Sequence, residues 1–482
     1  MLRALLLISA VVARIAQAAA SETPQYSVTY DPQSAHADVR LCLSGAHPQM
    51  VFAADSPGAM RFLGSLQRSS ARHIEPLRAG WRARGWQAGE CLAYSADIGA
   101  IAMLHSDAGS RYGEVLVTDP QYWLLRADTQ TQLGANLRIE LPEGWAIAAP
   151  WHELGRAGRS IQFQIPDTPP DWSARVALGQ FEEQRIELPQ GSSVRVAILF
   201  DADAKQRAKL MTWIQGAASA VFKTYGRMPI DDVSVSIVSI GSTSYAGRFF
   251  ALLHPTAVFG GDSARGQGNS IQLLVDPRRP LAEFVSDWTA IHELSHLMHP
   301  YLGDRGSWLA EGLATYYQNV LRARTGIFTP AQAWQHLGDG FADAAATKSD
   351  DTLEQAANSM EQTHAFQRVY WSGAAYWLSV DSDLRRSSGG DLNLETALSR
   401  FHDCCLPAYH EWKPENFVAK LDELMGVRTF STHYREFAQA TRFPDWQKIF
   451  ADLGVVRSGD DKTTFDENVP GVAIRNAITA AR

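Results

Sequence analysis

The stretch Ile291-His292-Glu293-Leu294-Ser295-His296-Leu297, followed by Trp308-Leu309-Ala310-Glu311-Gly312, constrains this chain more than any other feature. On a helix of 3.6 residues per turn, His292 and His296 lie one turn apart on the same face, so two imidazole nitrogens can share one small cation. Glu293 points about 100° away around that helix, poorly placed to ligate but able to reach a water on the cation and take its proton. A catalytic site of this kind needs a third protein ligand and an open position for water. Glu311 is one candidate. After His296 the chain has room to leave one helix, turn at Gly303-Asp304-Arg305-Gly306-Ser307 and enter a second, with Ser307 as N-cap and Glu311 in the first turn. His299 is the rival, since it lies two turns beyond His292 on nearly the same face, although Pro300 ends the helix beside it. An amphipathic core helix with incidental histidines is the alternative to both, and it leaves the second segment without a purpose.

These residues resemble the gluzincin metallopeptidases, whose zinc is held by the two histidines of HExxH and a glutamate on the following helix. Trp308 to Tyr317, WLAEGLATYY, looks like the WxxEGxAxYx segment of the aminopeptidase N and glycyl aminopeptidase families. The resemblance implies one zinc per chain on His292, His296 and Glu311, with Glu293 as the base; Thr315 and Gln318, one and two turns after Glu311, are candidates to orient the histidines. Val369 to Leu378 resembles the YxKG-plus-helix segment of the same families. By that likeness Tyr370 donates its phenol to an oxyanion, and Ser372 stands where the lysine usually is. The aminopeptidase N family also has a GxMEN strand whose glutamate holds a substrate's amino terminus. The corresponding Ser244 to His254 contains no glutamate, so cleavage at an end or within a chain stays open. Arg248 in that segment is either a contact for an acidic substrate or a solvated side chain. The resemblance runs in order over roughly 190–455, with no counterpart of the PDZ-like domain that often completes glycyl aminopeptidases.

Residues 1–20 read as a secretory signal, with Arg3 in a positive n-region, a short apolar run from Ala4 to Ala13, and small residues around Ala18. An uncleaved anchor is the alternative. No later segment has the ~20 apolar residues of a membrane span. Apolar content of 45% and a formal charge of −8 describe an ordinary globular chain with no electrostatic reason to bind nucleic acid. Cys42 and Cys91 lie in strand-like segments and can pair in an oxidising compartment. Cys404 and Cys405 are adjacent and fit a vicinal bridge, free thiols or an intermolecular contact equally well.

From Gln25 to about Gln190, segments such as Tyr26 to Tyr30, Ala37 to Leu43 and Asn136 to Leu141 alternate apolar and polar residues, which predicts a β-sandwich-like domain. After a turn at Pro189 to Ser192 come a strand at Val194 to Phe200, a helix at Ala204 to Tyr225 stopped by Gly226 and Pro229, strands at Val233 to Ile240 and Ile271 to Val275, and a metal-binding helix at roughly 281–299. Periodic apolar residues make 330–480 mostly helical. The expectation is an α+β multidomain chain: signal 1–20, β-rich domain 21–190, thermolysin-like catalytic domain 191–328, and helical domain 329–482. Its function on this reading is that of a periplasmic or secreted zinc metallopeptidase acting on peptides or proteins, without stable membrane insertion after signal cleavage. The alternative is a zinc-containing binding protein that keeps the fold without catalysis.

Overall fold

A computed structural model of the protein describes residues 22–54, 57–106, 108–128, 134–240, 256–347, 349–457 and 462–481. The signal-like segment and Ser244 to His254, with Arg248, lie outside the described residues.

Alternation in the first region becomes half-wet sheet. Gln25–Asp31 buries Tyr26, Val28 and Tyr30 and exposes the residues between them. It pairs parallel with Ala135–Glu140 and antiparallel with His36–Cys42 in a seven-stranded sheet. A four-stranded sheet packs Met50, Phe52, Trp81 and Ala83 into the same core, giving the expected sandwich-like arrangement. Cys42 and Cys91 face each other across two paired strands and are disulfide-bonded, and Cys404 and Cys405 form a vicinal bridge.

A third sheet joins this region to the next. In Val115–Thr118 and Val176–Gly179 every residue is buried. Leu116, Val176 and Leu178 enter the sandwich core, while Val115, Val117 and Ala177 meet Ala197, Leu199 and Val238 on the other side. A strand covered on both faces loses the alternation by which a half-wet strand is recognised.

The second region is a five-stranded sheet in the order Glu183–Glu187, Ser193–Ile198, Asp232–Ser239, Ser270–Val275, Val258–Ala264. Its first strand precedes the Pro189–Gly191 turn and pairs antiparallel with the strand after it. The helix Ala204–Tyr225 begins at a capping box between Asp203 and Gln206 and ends at left-handed Gly226, the stop expected from sequence. Val258–Ala264 runs antiparallel at the sheet edge, beside the helix that carries His292. Its Gly260 and Gly261 hid it from a reading based on β-forming residues.

The single helix expected at roughly 281–299 is two helices. Leu281–Ser286 stops at Asp287, whose backbone is extended, and Thr289–Ser295 follows and tightens into a 3₁₀ turn at His296–Met298. Asp287 Oδ1 accepts the Thr289 N–H at 2.7 Å, which satisfies a donor at the new helix start.

In the helical region Ser307–Arg324 crosses Phe366–Ser388 at backbone contact. A Cβ on Gly373 would stand 1.8 Å from Trp308 O, and one on Gly312 would stand 2.3 Å from Gly373 Cα. Beyond the crossing, Tyr316 donates to Asp381, Arg385 bridges Asp381 and Glu395 at 3.0 Å each, and Arg324 reaches Glu395 at 2.5 Å. A small hairpin, Val455–Arg457 with Thr463–Phe465, interrupts the helices near the C-terminal end.

Gly373→Ala is expected to destabilise the fold by at least about 3 kcal/mol, read as a lower urea midpoint. In the first region, burial alone would raise the Glu90 pKa, but hydrogen bonds from Arg68, Ser70 and the Gln87 N–H outweigh it and hold the carboxyl at about 2. A carboxyl depressed on folding adds stability above its unfolded pKa. That contribution should fade as pH falls from about 4.5 toward 2, and an acid titration of unfolding should lose this component in Glu90→Gln.

Candidate metal centre

Three elements bring the candidate residues together. His292 and His296 come from the Thr289–Ser295 helix and its 3₁₀ continuation, and Glu311 from Ser307–Arg324. Gly306, not Ser307, occupies the N-cap, and Ser307 instead places its hydroxyl 3.4 Å from Ala357 O. Glu311 therefore sits one residue deeper in the helix than expected. One donor atom from each of His292, His296 and Glu311 lies within 4.8 Å of the other two. Glu311 Oε2 is 3.1 Å from His292 Nε2 and 3.5 Å from His296 Nε2. Two imidazole nitrogens and one carboxylate oxygen form a donor set that suits a borderline divalent ion with a coordination position to spare.

The partners of the remaining ring nitrogens leave each Nε2 facing Glu311, the side from which a metal would take its lone pair. His292 Nδ1 lies 2.8 Å from Gln318 Oε1, which only accepts, so the proton is on Nδ1. His299 Nδ1 likewise donates to Pro300 O at 2.7 Å, so its Nε2 accepts from His296 Nδ1 at 3.2 Å. His299 is thus turned toward the far side of the His296 ring. Its backbone has left the helix for an extended conformation, as a residue before proline prefers. Burial, followed by Arg265 and His296, holds its pKa well below the usual imidazole range, which keeps it a neutral acceptor. Arg265 in turn donates to the carbonyls of His299 at 2.6 Å and His296 at 2.5 Å, holding the last turn in place. Neither contact was visible in sequence, because Arg265 comes from the end of the edge strand region.

Electrostatics pull the cluster toward charge separation. Burial opposes ionisation of Glu311, yet His296 and His292 hold its carboxyl well below the usual range. Burial likewise lowers His292, and Glu311 lifts it above its ordinary value. Glu293 is 7% exposed, and burial raises its pKa against the opposing pull of the histidines. It packs on Gly261 of the edge strand, where a Cβ would stand 2.6 Å from Glu293 Cγ. Tyr370 stacks on His292 with ring centroids 5.8 Å apart, and burial together with Glu311 raises its pKa, keeping the phenol protonated. Thr315, by contrast, touches neither histidine through a hydrogen bond; among the described residues its hydroxyl has no partner.

The donors lie between two cavities. One of about 270 Å³ is walled by Glu311, His296, Arg265, Tyr301 and Trp172, the last contributed by the sheet-rich region. The other, of about 780 Å³, is lined by Trp288, Gln318 and Tyr370, each of which touches His292. Arg175 also reaches over from the sheet-rich region to pair with Asp262 on the edge strand.

A family model for M61 glycyl aminopeptidase matches residues 292–377, the segment from the first histidine through the Tyr370 helix. An aminopeptidase N family protein from Idiomarina loihiensis aligns with TM-score 0.67 and 14% identity, over 93% of this chain and 82% of that one. The chain resembles the gluzincin peptidases. An M1 zinc metallopeptidase from Deinococcus radiodurans aligns with this gluzincin-like chain at TM-score 0.54 and 12% identity, covering 88% and 95% of the two. A structure of that enzyme with a Tyr-Ser-Ala substrate aligns at TM-score 0.53 and 12% identity, over 88% and 94%. No curated protein matches. At these identities the structural likeness carries the fold, a sheet-rich N-terminal region followed by α/β and helical regions.

Gln318→Leu and His299→Leu each remove the acceptor of a histidine Nδ1–H. Each is expected to weaken divalent-metal affinity by about 10–100-fold, measured by competition with a chelator of known affinity. Unchanged affinity in both would show that the imidazoles need no such support.

Proposed function

We propose that this chain is an exported zinc metallopeptidase that hydrolyses peptide bonds at the centre formed by His292, His296 and Glu311. The convergence of these three donors within 4.8 Å, beside a buried glutamate and a protonated tyrosine, carries the reading. Zinc, when held there, supplies a Lewis acid and a water acidified to near neutrality. The Glu293 carboxylate takes a proton from the attacking water and returns it to the leaving amine, a task suited to a carboxylate whose pKa burial has raised. The Tyr370 hydroxyl donates to the oxyanion as the carbonyl becomes tetrahedral. Gln318 and His299 hold the two imidazoles in the tautomer that points Nε2 inward. Val258–Ala264 is the last strand of its sheet among the described residues, and a peptide laid beside the three donors would run along it.

Export is supported by the signal-like residues 1–20 and by the Cys42–Cys91 bridge, since disulfides persist in oxidising compartments. No helix among the described residues is long and apolar enough to cross a membrane.

The test pairs metal analysis with turnover. Purified protein should contain about one zinc per chain and cut peptides in a mixed library until a chelator is added. Glu293→Gln should keep the metal and lose at least about 100-fold in kcat, and Tyr370→Phe should lose about 100-fold. A zinc-loaded protein that cuts no peptide would instead fit a binding protein that retains the fold.

A further inference from the structure

Rings make up much of the wall of the 780 Å³ cavity beside Tyr370. Trp288, Phe328, Phe366, Tyr370 and Trp371 all line it, and none of the five is fully covered: four are partly exposed, and Trp288 keeps 40% of its surface open. Other large rings of the neighbouring helices are treated differently, since Trp308, Tyr316, Tyr317, Trp334, Tyr376 and Trp377 are entirely buried. Ring surface left in water forgoes about 25 cal/mol per Å², so five open rings gathered on one concavity mark a place that a ligand covers.

This wall is built. Gly340 on the Pro330–Ala346 helix lies against Trp371, where a Cβ would stand 2.3 Å from the indole ring, so any side chain there would displace it. Trp288 stands at the N-cap of Thr289–Ser295 with its ring edge-on to His292 at 5.1 Å between centroids, and Tyr370 stacks on the same imidazole. The near end of the cavity therefore adjoins the donor set. Charges on the wall are already engaged. Glu283 pairs with Arg279 at 2.7 Å, Asp339 pairs with Arg457, and Asp287 accepts the Thr289 N–H at 2.7 Å in the field of Arg322. Arg322 donates to Gln318 O, Ser286 O and Asn319 Oδ1 and lies 4.1 Å from the centre of the Phe328 ring. Asp343 is exposed to water. Ring surface is what the wall leaves for a ligand.

We propose that this cavity is the subsite for an aromatic side chain, that of phenylalanine, tyrosine or tryptophan, on a residue flanking the bond that is cut, and that Trp288 selects it. This rests on the reading of the chain as a peptidase and names its substrate class. Aromatic pairs add edge-to-face or offset-stacked attraction to the burial of their area. A methyl group or a hydrogen at that position would leave the rings wet, and a charged side chain would give up its water without an unengaged partner on the wall.

Two measurements test it in the full-length protein. Mapping the cuts in a mixed peptide library should place aromatic residues at one fixed position relative to the cut, with phenylalanine there exceeding alanine in kcat/KM by at least about tenfold. Trp288→Ala should lower that ratio by about tenfold, and Trp288→Phe, which keeps a ring, should retain most of it. A ratio unmoved by Trp288→Ala, or lost equally in both variants, overturns the assignment to Trp288. Calorimetry on zinc-loaded Glu293→Gln should show Nα-acetyl-phenylalanine amide binding more tightly than Nα-acetyl-alanine amide, with the difference reduced when Trp288→Ala is added. Cleavage without an aromatic preference, or equal binding of the two amides, overturns the pocket while leaving peptidase activity to stand on its own result. Absence of cleavage with selective binding of the phenylalanine amide supports the pocket and overturns the peptidase reading.

Discussion

Two helices touch at Gly312 and Gly373 with no side chain between them, and the position of the candidate metal centre follows from that contact. Gly312 adjoins Glu311, and Gly373 lies one turn beyond Tyr370, so the crossing brings the carboxylate and the phenol to the same side of the helix pair. A larger residue at either point would push the helices apart by more than the tolerance of a metal site. The buried set Arg324, Glu395, Arg385 and Asp381 ties the same pair to the Leu394–Cys405 helix further along. Its two guanidinium groups and two carboxylates balance, and each is hydrogen-bonded, the condition under which buried charge is tolerated. This network fixes which way the helices face each other. The glycine contact fixes how close they come.

Around this pair the protein builds a centre whose parts are held from different directions. His292 is oriented by Gln318 on the glutamate helix, whereas His296 is oriented by His299, four residues from the end of its own helix and itself anchored by Arg265. The two imidazoles therefore depend on separate supports. Glu293 is pressed against a glycine of the edge strand, so the strand that borders the cleft also sets the environment of the carboxylate. The sheet-rich region adds Trp172 and Arg175 to the same border and closes one end of the cleft.

Much of the fold was readable because local rules and tertiary context agree there. The alternation in Gln25–Asp31 and the Gly226 stop of Ala204–Tyr225 each have one physical meaning, and the structure uses it. Failures cluster where tertiary burial replaces the local signal. Val115–Thr118 and Val176–Gly179 are covered on both faces, Val258–Ala264 is rich in glycine because Glu293 packs on it, and the helix expected through Asp287 breaks where that side chain caps the next segment.

The sequence by itself determined that His292 and His296 share a helical face, that Glu293 points off that face, and that a second helix would present Glu311, because a 3.6-residue period and the WLAEG segment leave little freedom. It also determined the alternating strands and the helix stops, which depend on neighbours in the chain. Only the tertiary structure brought Glu311, rather than His299, within 4.8 Å of the other two donor atoms, since that placement turns on an extended residue before a proline and on which imidazole nitrogen faces its neighbour. Only it revealed Arg265, the edge strand under Glu293 and the ring-lined cavity beside Tyr370. These are contacts between residues far apart in the chain, and no periodicity or spacing encodes them.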